Sequence, residues 1–582
     1  MRSRAILTIL FLSILLTAGC GGDGVTPGGG GGTGNLTVGN IQGATVVLEN
    51  SSVQYTIGAS GDTGIRVQWA VDPSYAGSFT NQTSGSTKFI ANSVSSEISA
   101  TIRVTVNSDN YGPVLKSLSI TIRNQLVSGW TRTWGGLGWD SSGGMYRDSG
   151  GNIYITGVFM GNSVDLDAGP GTDFHTSRGG YEAYLSKYDS SGNFLWARSW
   201  GGELWDQGSK VAADTQGNVY VVGYFQGTSD FNPGSGYEWL STHGDLDVYI
   251  SKFTASGSWQ WTRTWGGPNW DKAYGVTVGS DGGVYVTGSF QETVDFDPGP
   301  GVIQYDGEVG KVFLSRFNSS GDLDWVRIWE ALEGHGVAVD SSANVYVTGI
   351  YAGTADFDPG PGVSYHTSLY TDCFLSKLDA YGGYHWSRVW GGWYDHDNAQ
   401  DLVIDNSGYI YVTGHFKGLT DFDPGTGSDY LESTDSGYGE PTRDIFVAKY
   451  DTYGSYIWAR AFGGRLEDRG YAIGVDGYGN PYITGYFVGT ADFDPSGGIA
   501  EHTSNGGQDM FVTKLGASGS YKWTVTLGGS LDEAGWGVAV DGSGRVYATG
   551  LFRAVVDFDP SQALSERASQ GEADAFLTTI VQ

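Results

Sequence analysis

The sequence predicts an all-β chain: a seven-bladed β-propeller closed by an N-terminal strand and preceded by a small β-sandwich. Three observations predict it. A phrase Tyr-(Val/Ile/Ala)-(Thr/Val)-Gly ends at Gly157, Gly223, Gly288, Gly349, Gly414, Gly485 and Gly550, with gaps of 66, 65, 61, 65, 71 and 65 residues. A second phrase, Trp-x-Arg-x-Trp-Gly-Gly in its fullest form, starts at Trp130, Trp196, Trp261, Trp325, Trp386, Trp458 and Trp523. The copy due near residue 588 falls beyond Gln582, and the copy that completes the last unit stands at the front, at Trp130. An array whose last unit is completed by its first strand reads as a closed ring, and no helical periodicity interrupts it.

Each unit holds four runs with strand character. Around residue 285 these are Tyr274–Val278, Val284–Phe290, Lys311–Phe317 and Trp325–Trp329, separated by Gly-Ser-Asp-Gly-Gly, by the Asp295–Gly301 loop and by Asn-Ser-Ser-Gly. Short runs of β-branched and aromatic residues bounded by Gly, Asn and Asp are strands, and the tight turns make hairpins. A single four-stranded unit leaves two apolar faces and needs neighbours on both sides. Pairing the strand at Trp130 with the run Asp574–Ile580 removes the loose ends of an open array.

The phrases Val337-Ala-Val-Asp-Ser-Ser-Ala-Asn-Val-Tyr-Val-Thr-Gly349 and Asp372-Cys-Phe-Leu-Ser-Lys377, followed by Trp-x-Arg-x-Trp-Gly-Gly, resemble the bacterial SBBP (seven-bladed β-propeller) repeat over residues 126–582. That resemblance implies a propeller on an exported or cell-surface bacterial protein, and no enzyme activity.

The N-terminus has the pattern of a targeting segment over residues 1–19: Arg2 and Arg4, then the short apolar run Ala5–Leu16. Thr17-Ala-Gly-Cys20 resembles a bacterial lipobox, although Thr17 stands where Leu is usual. The resemblance implies a lipid attached to Cys20, which holds the protein at a membrane surface by its acyl chains alone, and the Gly21 that follows implies the outer membrane. The alternative is ordinary secretory cleavage. Residues 20–34 then form a Gly-rich tether. Residues 35–125 lack the repeat phrases but contain six strand-like runs, and Val67-Gln-Trp-Ala-Val-Asp72 followed by Gly77 resembles a bacterial Ig-like domain with Trp69 as its core aromatic.

Acidic residues outnumber basic ones 63 to 32, which excludes a nucleic-acid partner held through phosphate contacts. Two cysteines, Cys20 and Cys373, make no disulfide framework, and Cys373 stands where Val248 and Ile445 stand in sister units. No His-Glu-x-x-His, Gly-x-Ser-x-Gly or phosphate loop is present.

In a four-stranded meander the second-to-third loops and the links between blades share one face. On that face stand the Asp-Phe-Asp-Pro loops: Asp295 and Asp297, Asp356 and Asp358, Asp421 and Asp423, Asp492 and Asp494, Asp557 and Asp559, with variants at Asp165–Ala168 and Asp230–Pro233. The links add Asp140, Asp206 and Asp271, with related acids at Asp395, Asp468 and Asp532. Carboxylates at i and i+2 point the same way along an extended segment. They either cap their own loops, pair with the repeated Lys187, Lys252, Lys377, Lys449 and Lys514 and Arg198, Arg263, Arg327, Arg388 and Arg460, or ligate Ca²⁺. Trp139, Trp205 and Trp270, beside the link acids, either pack between blades or stack on sugar rings. The His-Thr-Ser repeats at His175, His366 and His502 read as loop architecture.

Symmetry breaks in the link after Trp329, which carries Glu330, Glu333 and His335, in the distinctive Trp393-Tyr-Asp395 link, and in the long loop from Asp423 to Asp444, which carries Tyr438 and Glu440. These seven residues are the expected ligand-binding candidates, since insertions and departures from the repeat mark a binding face. Acids that recur in nearly every unit suit architecture better than a unique catalytic constellation. The expectation is a non-catalytic, monomeric, surface-anchored binding or scaffold protein whose partner is a surface protein or polysaccharide. The alternative is an extracellular carbohydrate-active lyase or glycosidase on the same fold.

Overall fold

A computed structural model describes residues 36–48, 52–91, 98–123, 127–308, 310–393, 397–559 and 564–581. The expected leader, Cys20, the tether and Asp395 lie outside these residues. The chain divides into two compact units, at Arg123 and Asn124.

In the first unit, the strands Val46–Leu48, Val114–Arg123, Ile98–Asn107 and Arg66–Asp72 form one sheet, and Ser52–Thr56, Ser86–Ala91 and Gly77–Phe79 another. Arg66–Asp72 alternates, turning Val67 and Trp69 inward. Trp69 is fully buried, packs with Tyr55, Phe89, Ile102 and Val104 in one core, and donates its indole N–H to Ser84 O at 2.6 Å.

The second unit is built of seven four-stranded antiparallel meanders. Six are continuous in sequence, for example Lys272–Val278, Val284–Phe290, Lys311–Phe317 and Leu323–Trp329. The seventh joins Ala534–Val540, Val546–Phe552 and Asp574–Val581 to the strand Val127–Trp134, with Thr131 opposite Thr578 and Trp134 opposite Ala575. The two threonine hydroxyls meet at 2.7 Å in a buried contact. The first strands pack in succession: Ser141–Arg147 on Asp206–Ala213, then Lys272–Val278, Glu333–Val339, Asn398–Ile404, Arg469–Val475 and Ala534–Val540, which packs back on Ser141–Arg147.

The repeated phrases now have physical roles. Each phrase tyrosine is buried and is overlaid by the phrase tryptophan, as Tyr285 by Trp325 at 6.0 Å between ring centroids. The phrase arginine stacks on that tryptophan and donates to a carbonyl in a neighbouring unit: Arg327 Nε to Gly382 O at 2.8 Å, Arg388 Nε to Gly454 O at 2.9 Å. The lysines do likewise, Lys252 to Ser319 O at 2.7 Å and Lys377 to Thr452 O at 3.0 Å. These arginines, with Lys187, Lys252, Lys377 and Lys449, therefore tie one unit to another through backbone carbonyls, whereas Lys514 lies 3.8 Å from Asp476 of its own unit. Among the described residues the Asp-Phe-Asp-Pro acids bond backbone N–H groups of their own loops instead. Cys373 is a fully buried strand residue opposite Ile350 and Trp390.

Candidate functional site: a cavity walled by seven bulged residues

Every first strand in the second unit carries a β-bulge at its third or fourth residue. The pairing register slips there, leaving Gly143, Ser209, Tyr274, His335, Gln400, Tyr471 and Trp536 extra to the ladder. Opposite each bulge stands the final glycine of the Tyr-x-Thr-Gly phrase. A Cβ on any of these seven glycines would lie 1.8–2.1 Å from a carbonyl oxygen just before the bulge, as at Gly349 against Glu333 O. The glycine is repeated because only a residue without a side chain admits the bulge.

The seven extra residues all line one cavity of about 400 Å³. The rest of the architecture repeats, yet this position carries Gly, Ser, Tyr, His, Gln, Tyr and Trp. Further walls come from Trp139, Tyr181, Trp205, Gln207, Lys210 and Tyr224. The indole of Trp536 stacks on Tyr471 at 4.2 Å and 20°. Trp205 sits 5.8 Å from Tyr181 and 5.9 Å edge-on to Tyr224, and Tyr274 meets His335 edge-on at 5.3 Å.

The charges around the cavity are matched. Lys210 and Asp401 each follow a bulged residue, where other units have Gly or Ala, and they meet at 3.4 Å from non-adjacent units. Glu333 Oε2 lies 2.8 Å from His335 Nε2, whose Nδ1 faces Ala399 O at 3.1 Å. The hydrogen bond from His335 holds the Glu333 carboxyl below its ordinary range. Lys272 lies over Trp270 and Tyr224, at 4.9 and 5.1 Å, and burial lowers its pKa against the pull of Glu333 and Asp245.

Of the expected ligand-binding residues, Glu333 and His335 stand at this cavity, His335 in its wall. Glu330, Trp393, Tyr438 and Glu440 are exposed, Trp393 at 76% and Tyr438 at 94%, and none of the four lines the cavity. Trp139 and Trp205 are in its wall, whereas Trp270 donates to Asp245 Oδ2 at 2.5 Å. Gln400, Tyr471, Trp536, Lys210 and Asp401 were not anticipated. Their signal in the sequence is a variable column among aligned first strands.

In the Asp-Phe-Asp-Pro loops the central aromatic is buried and both acids cap the turn. Asp295 Oδ1 accepts from Asp297 N and Ile303 N, at 3.1 and 2.8 Å, and Asp297 Oδ1 accepts from Gly299 N at 2.8 Å. The same pattern recurs from Asp356, Asp421 and Asp492, and Asp557 accepts from Asp559 N and Ser565 N. Among the described residues no group of three or more His, Cys, Asp or Glu side chains could hold a metal ion.

The link acids do something else. Asp140, Asp206, Asp271, Asp397, Asp468 and Glu533 are buried, and each accepts from the second glycine of its Gly-Gly or from the residue in that place, as Asp271 from Gly267 N at 2.6 Å. The place of the link acid, read at Asp395 and Asp532 in the sequence, is thus held by Asp397 and Glu533. Each link acid faces a second carboxyl on a third strand: Asp574, Glu182, Asp247, Asp372, Asp444 and Asp509 respectively. The point where a Cβ of Gly135 would sit lies 2.6 Å from Asp574 Oδ1 and 2.9 Å from Asp140 Oδ2. Asp574 Oδ1 and the matching Oδ1 atoms of Asp247, Asp372, Asp444 and Asp509 are buried with no hydrogen-bond donor from the described residues. Burial pushes Asp140 up to about 6, Asp574, Glu182 and Asp206 to about 7, and Asp397 to about 8.

No protein-family model matches the chain. An uncharacterized WD repeat-containing protein, L264, of Acanthamoeba polyphaga mimivirus is 23% identical over 443 residues, covering 62% of this chain and 31% of that protein. The regulatory protein FlaEY of Caulobacter vibrioides is 29% identical over 146 residues, covering 25% of this chain and 15% of its own length. The chain thus spans less than a third of either curated relative. Among solved structures, the extracellular domain of the putative hybrid two-component system BT4673 of B. thetaiotaomicron aligns over 75% of this chain and 72% of its own, at 11% identity and a TM-score of 0.17. Domains 4–9 of the surface layer protein SbsC align over 86% and 83%, at 9% identity and a TM-score of 0.11. The chain is an all-β repeat protein with a WD-repeat relative.

Proposed function

We propose that the second unit is a seven-bladed β-propeller and that the chain is a non-catalytic binding protein whose ligand enters the cavity walled by the bulged residues. The cyclic packing order of the first strands and the pairing of Val127–Trp134 with Asp574–Val581 support the propeller. One observation carries the binding reading: a position that architecture leaves free differs from unit to unit and converges on one cavity. Symmetric packing needs no such variety, whereas recognition of one asymmetric ligand does. Residues 2–20 and the tether support a lipid anchor at the cell surface, with the Ig-like first unit as spacer. The self-capped Asp-Phe-Asp-Pro loops support a structural role in place of Ca²⁺ binding.

The enzyme alternative rests on Glu333 and His335, which are paired at the cavity. Both ring nitrogens of His335 already face oxygen atoms, at 2.8 and 3.1 Å, so neither is directed at a substrate proton. A screen of the intact protein against soluble polysaccharides and envelope-derived extracts, reading tryptophan emission and new reducing ends together, tests the reading. Binding without turnover supports it. Turnover that disappears in Glu333→Gln contradicts it.

A further inference from the structure

We propose that the ligand of the cavity is a neutral saccharide, one or two sugar residues of which lie against the Trp536 and Trp205 rings. The proposal rests on the reading of the cavity as the ligand site. Three features point to it together.

First, a sugar ring presents an apolar C–H face and an equatorial rim of hydroxyls, and the cavity offers both counterparts. Rings of Trp205, Tyr274, Tyr471 and Trp536 enter its wall, with the Tyr471–Trp536 pair forming a flat two-ring stack. Second, two side-chain amides in the wall keep unused hydrogen-bonding groups. Gln207 Oε1 accepts from Tyr224 at 2.9 Å, which leaves its Nε2 unused among the described residues. The Gln400 amide, also in the wall, likewise makes no hydrogen bond among the described residues. Polar groups held between apolar faces fix the orientation of a polyhydroxylated ring.

Third, the cavity's charges answer one another. Lys210 is held by Asp401 and Glu333 by His335, and Lys272 lies against two rings with Glu333 and Asp245 nearby. An anionic ligand would have to break a Lys–acid pair. A cationic ligand would have to draw Glu333 from His335 or Asp401 from Lys210 to gain a counter-charge. A neutral ligand needs neither. A volume of about 400 Å³ sits near the lower end of the usual range for small-ligand sites, roughly 300–1,000 Å³, and suits one or two sugar residues.

The test uses the full chain and four probe sets: neutral hexose, pentose and N-acetylhexosamine mono- to tetrasaccharides, uronate oligosaccharides, tetramethylammonium, and short uncharged peptides. Binding is read by calorimetry and tryptophan emission. A neutral saccharide is expected to bind one per chain, with affinity lowered about tenfold or more in Trp536→Ala and in Gln400→Ala. Gln400→Ala leaves the aromatic wall in place, so it keeps the test open if Trp536→Ala fails to fold. Failure of every neutral saccharide to bind overturns the proposal. If tetramethylammonium, a uronate or a peptide then binds in a manner sensitive to both substitutions, the ligand-site reading stands and the saccharide class is wrong. Saccharide binding undiminished in both variants overturns the cavity as the site.

Discussion

Lys210 Nζ and Asp401 Oδ2 meet at 3.4 Å although their strands belong to the second and fifth meanders and never share a sheet. Both side chains are mostly buried, at 25% and 13% exposure. Asp401 also accepts from Ile473 N at 3.3 Å, so the pair joins three strands. Removing one partner strands the other charge in a partly dry site. Lys210→Met and Asp401→Leu are each expected to lower stability by about 1–2 kcal/mol. The combined Lys210→Met/Asp401→Leu variant is expected to recover part of that loss. Denaturant midpoints of the four proteins give the coupling; strictly additive losses contradict a direct pair.

Gly349 sits opposite the bulge that projects His335. An Ala there brings Cβ to 1.9 Å from Glu333 O, a backbone atom that cannot swing aside. The strand must shift or the bulge must unwind, and Gly349→Ala is expected to cost at least the roughly 1–3 kcal/mol of core overpacking. At Gly542 no atom lies within 4 Å of the same position, so Gly542→Ala is expected to be near neutral. Equal melting temperatures for the two variants contradict the role given to the phrase glycine.

The paired carboxyls set a pH dependence of defined sign. Burial raises the folded-state pKa values, to about 6 at Asp140, about 7 at Asp574 and about 8 at Asp397, above the unfolded value of about 4. The folded chain therefore holds protons that the unfolded chain has released. This contribution is fully present below about pH 4 and disappears as pH rises through about 6 to 8. Hairpin acids such as Asp340 and Asp476 are shifted the other way, with hydrogen bonds from Asn344 and Asn480 outweighing the effect of burial, and they lose stability as pH falls through their own lower range. The melting temperature is expected to fall between pH 5 and pH 8, and less steeply in Asp574→Asn. A wild-type profile that rises over that interval contradicts the raised pKa values of the paired carboxyls.

Arg388 stacks on Trp386 and donates to Gly454 O and Tyr453 O, at 2.9 and 3.1 Å. Lysine keeps the charge and loses the fork. Arg388→Lys is expected to destabilise by about 1.5–3 kcal/mol, the range for hydrogen bonds involving a charged group, in urea titration. No change in the midpoint would show that the charge alone suffices.

Strands, hairpins and the pairing of Trp130's strand with the last one were legible because each is written several times over in Tyr, Trp, Arg and Gly. The cavity was not. Reading the first strands with an unbroken period of two carries the pattern straight through the bulge and gives Gln400 or Trp536 no special direction. The extra residue shows in the sequence only as a variable column, and the clash at the opposing glycine gives its physical reason. The exposed Tyr438 loop drew attention by its length, which says nothing about where its side chains converge. Asp397 was missed because its link is one residue longer, placing the buried acid five positions after Gly392 instead of four, and Glu533 because the neighbouring Asp532 looked more like the repeat. Glu333 and His335 were legible because their unit departs from the repeat in plain view.

Ring closure carries the whole account, since it fixes which strands meet and where the seven bulged residues point. Amide hydrogen exchange on the intact protein measures it directly. Val127–Trp134 and Asp574–Val581 are paired on both sides of a bulge between Ser128 and Thr131, so the paired amides from Thr131 to Trp134 and their partners are expected to be as protected as those of the internal strand Lys311–Phe317. Exchange in both terminal strands that is orders of magnitude faster than in Lys311–Phe317, as at frayed ends, would contradict closure and with it the cavity.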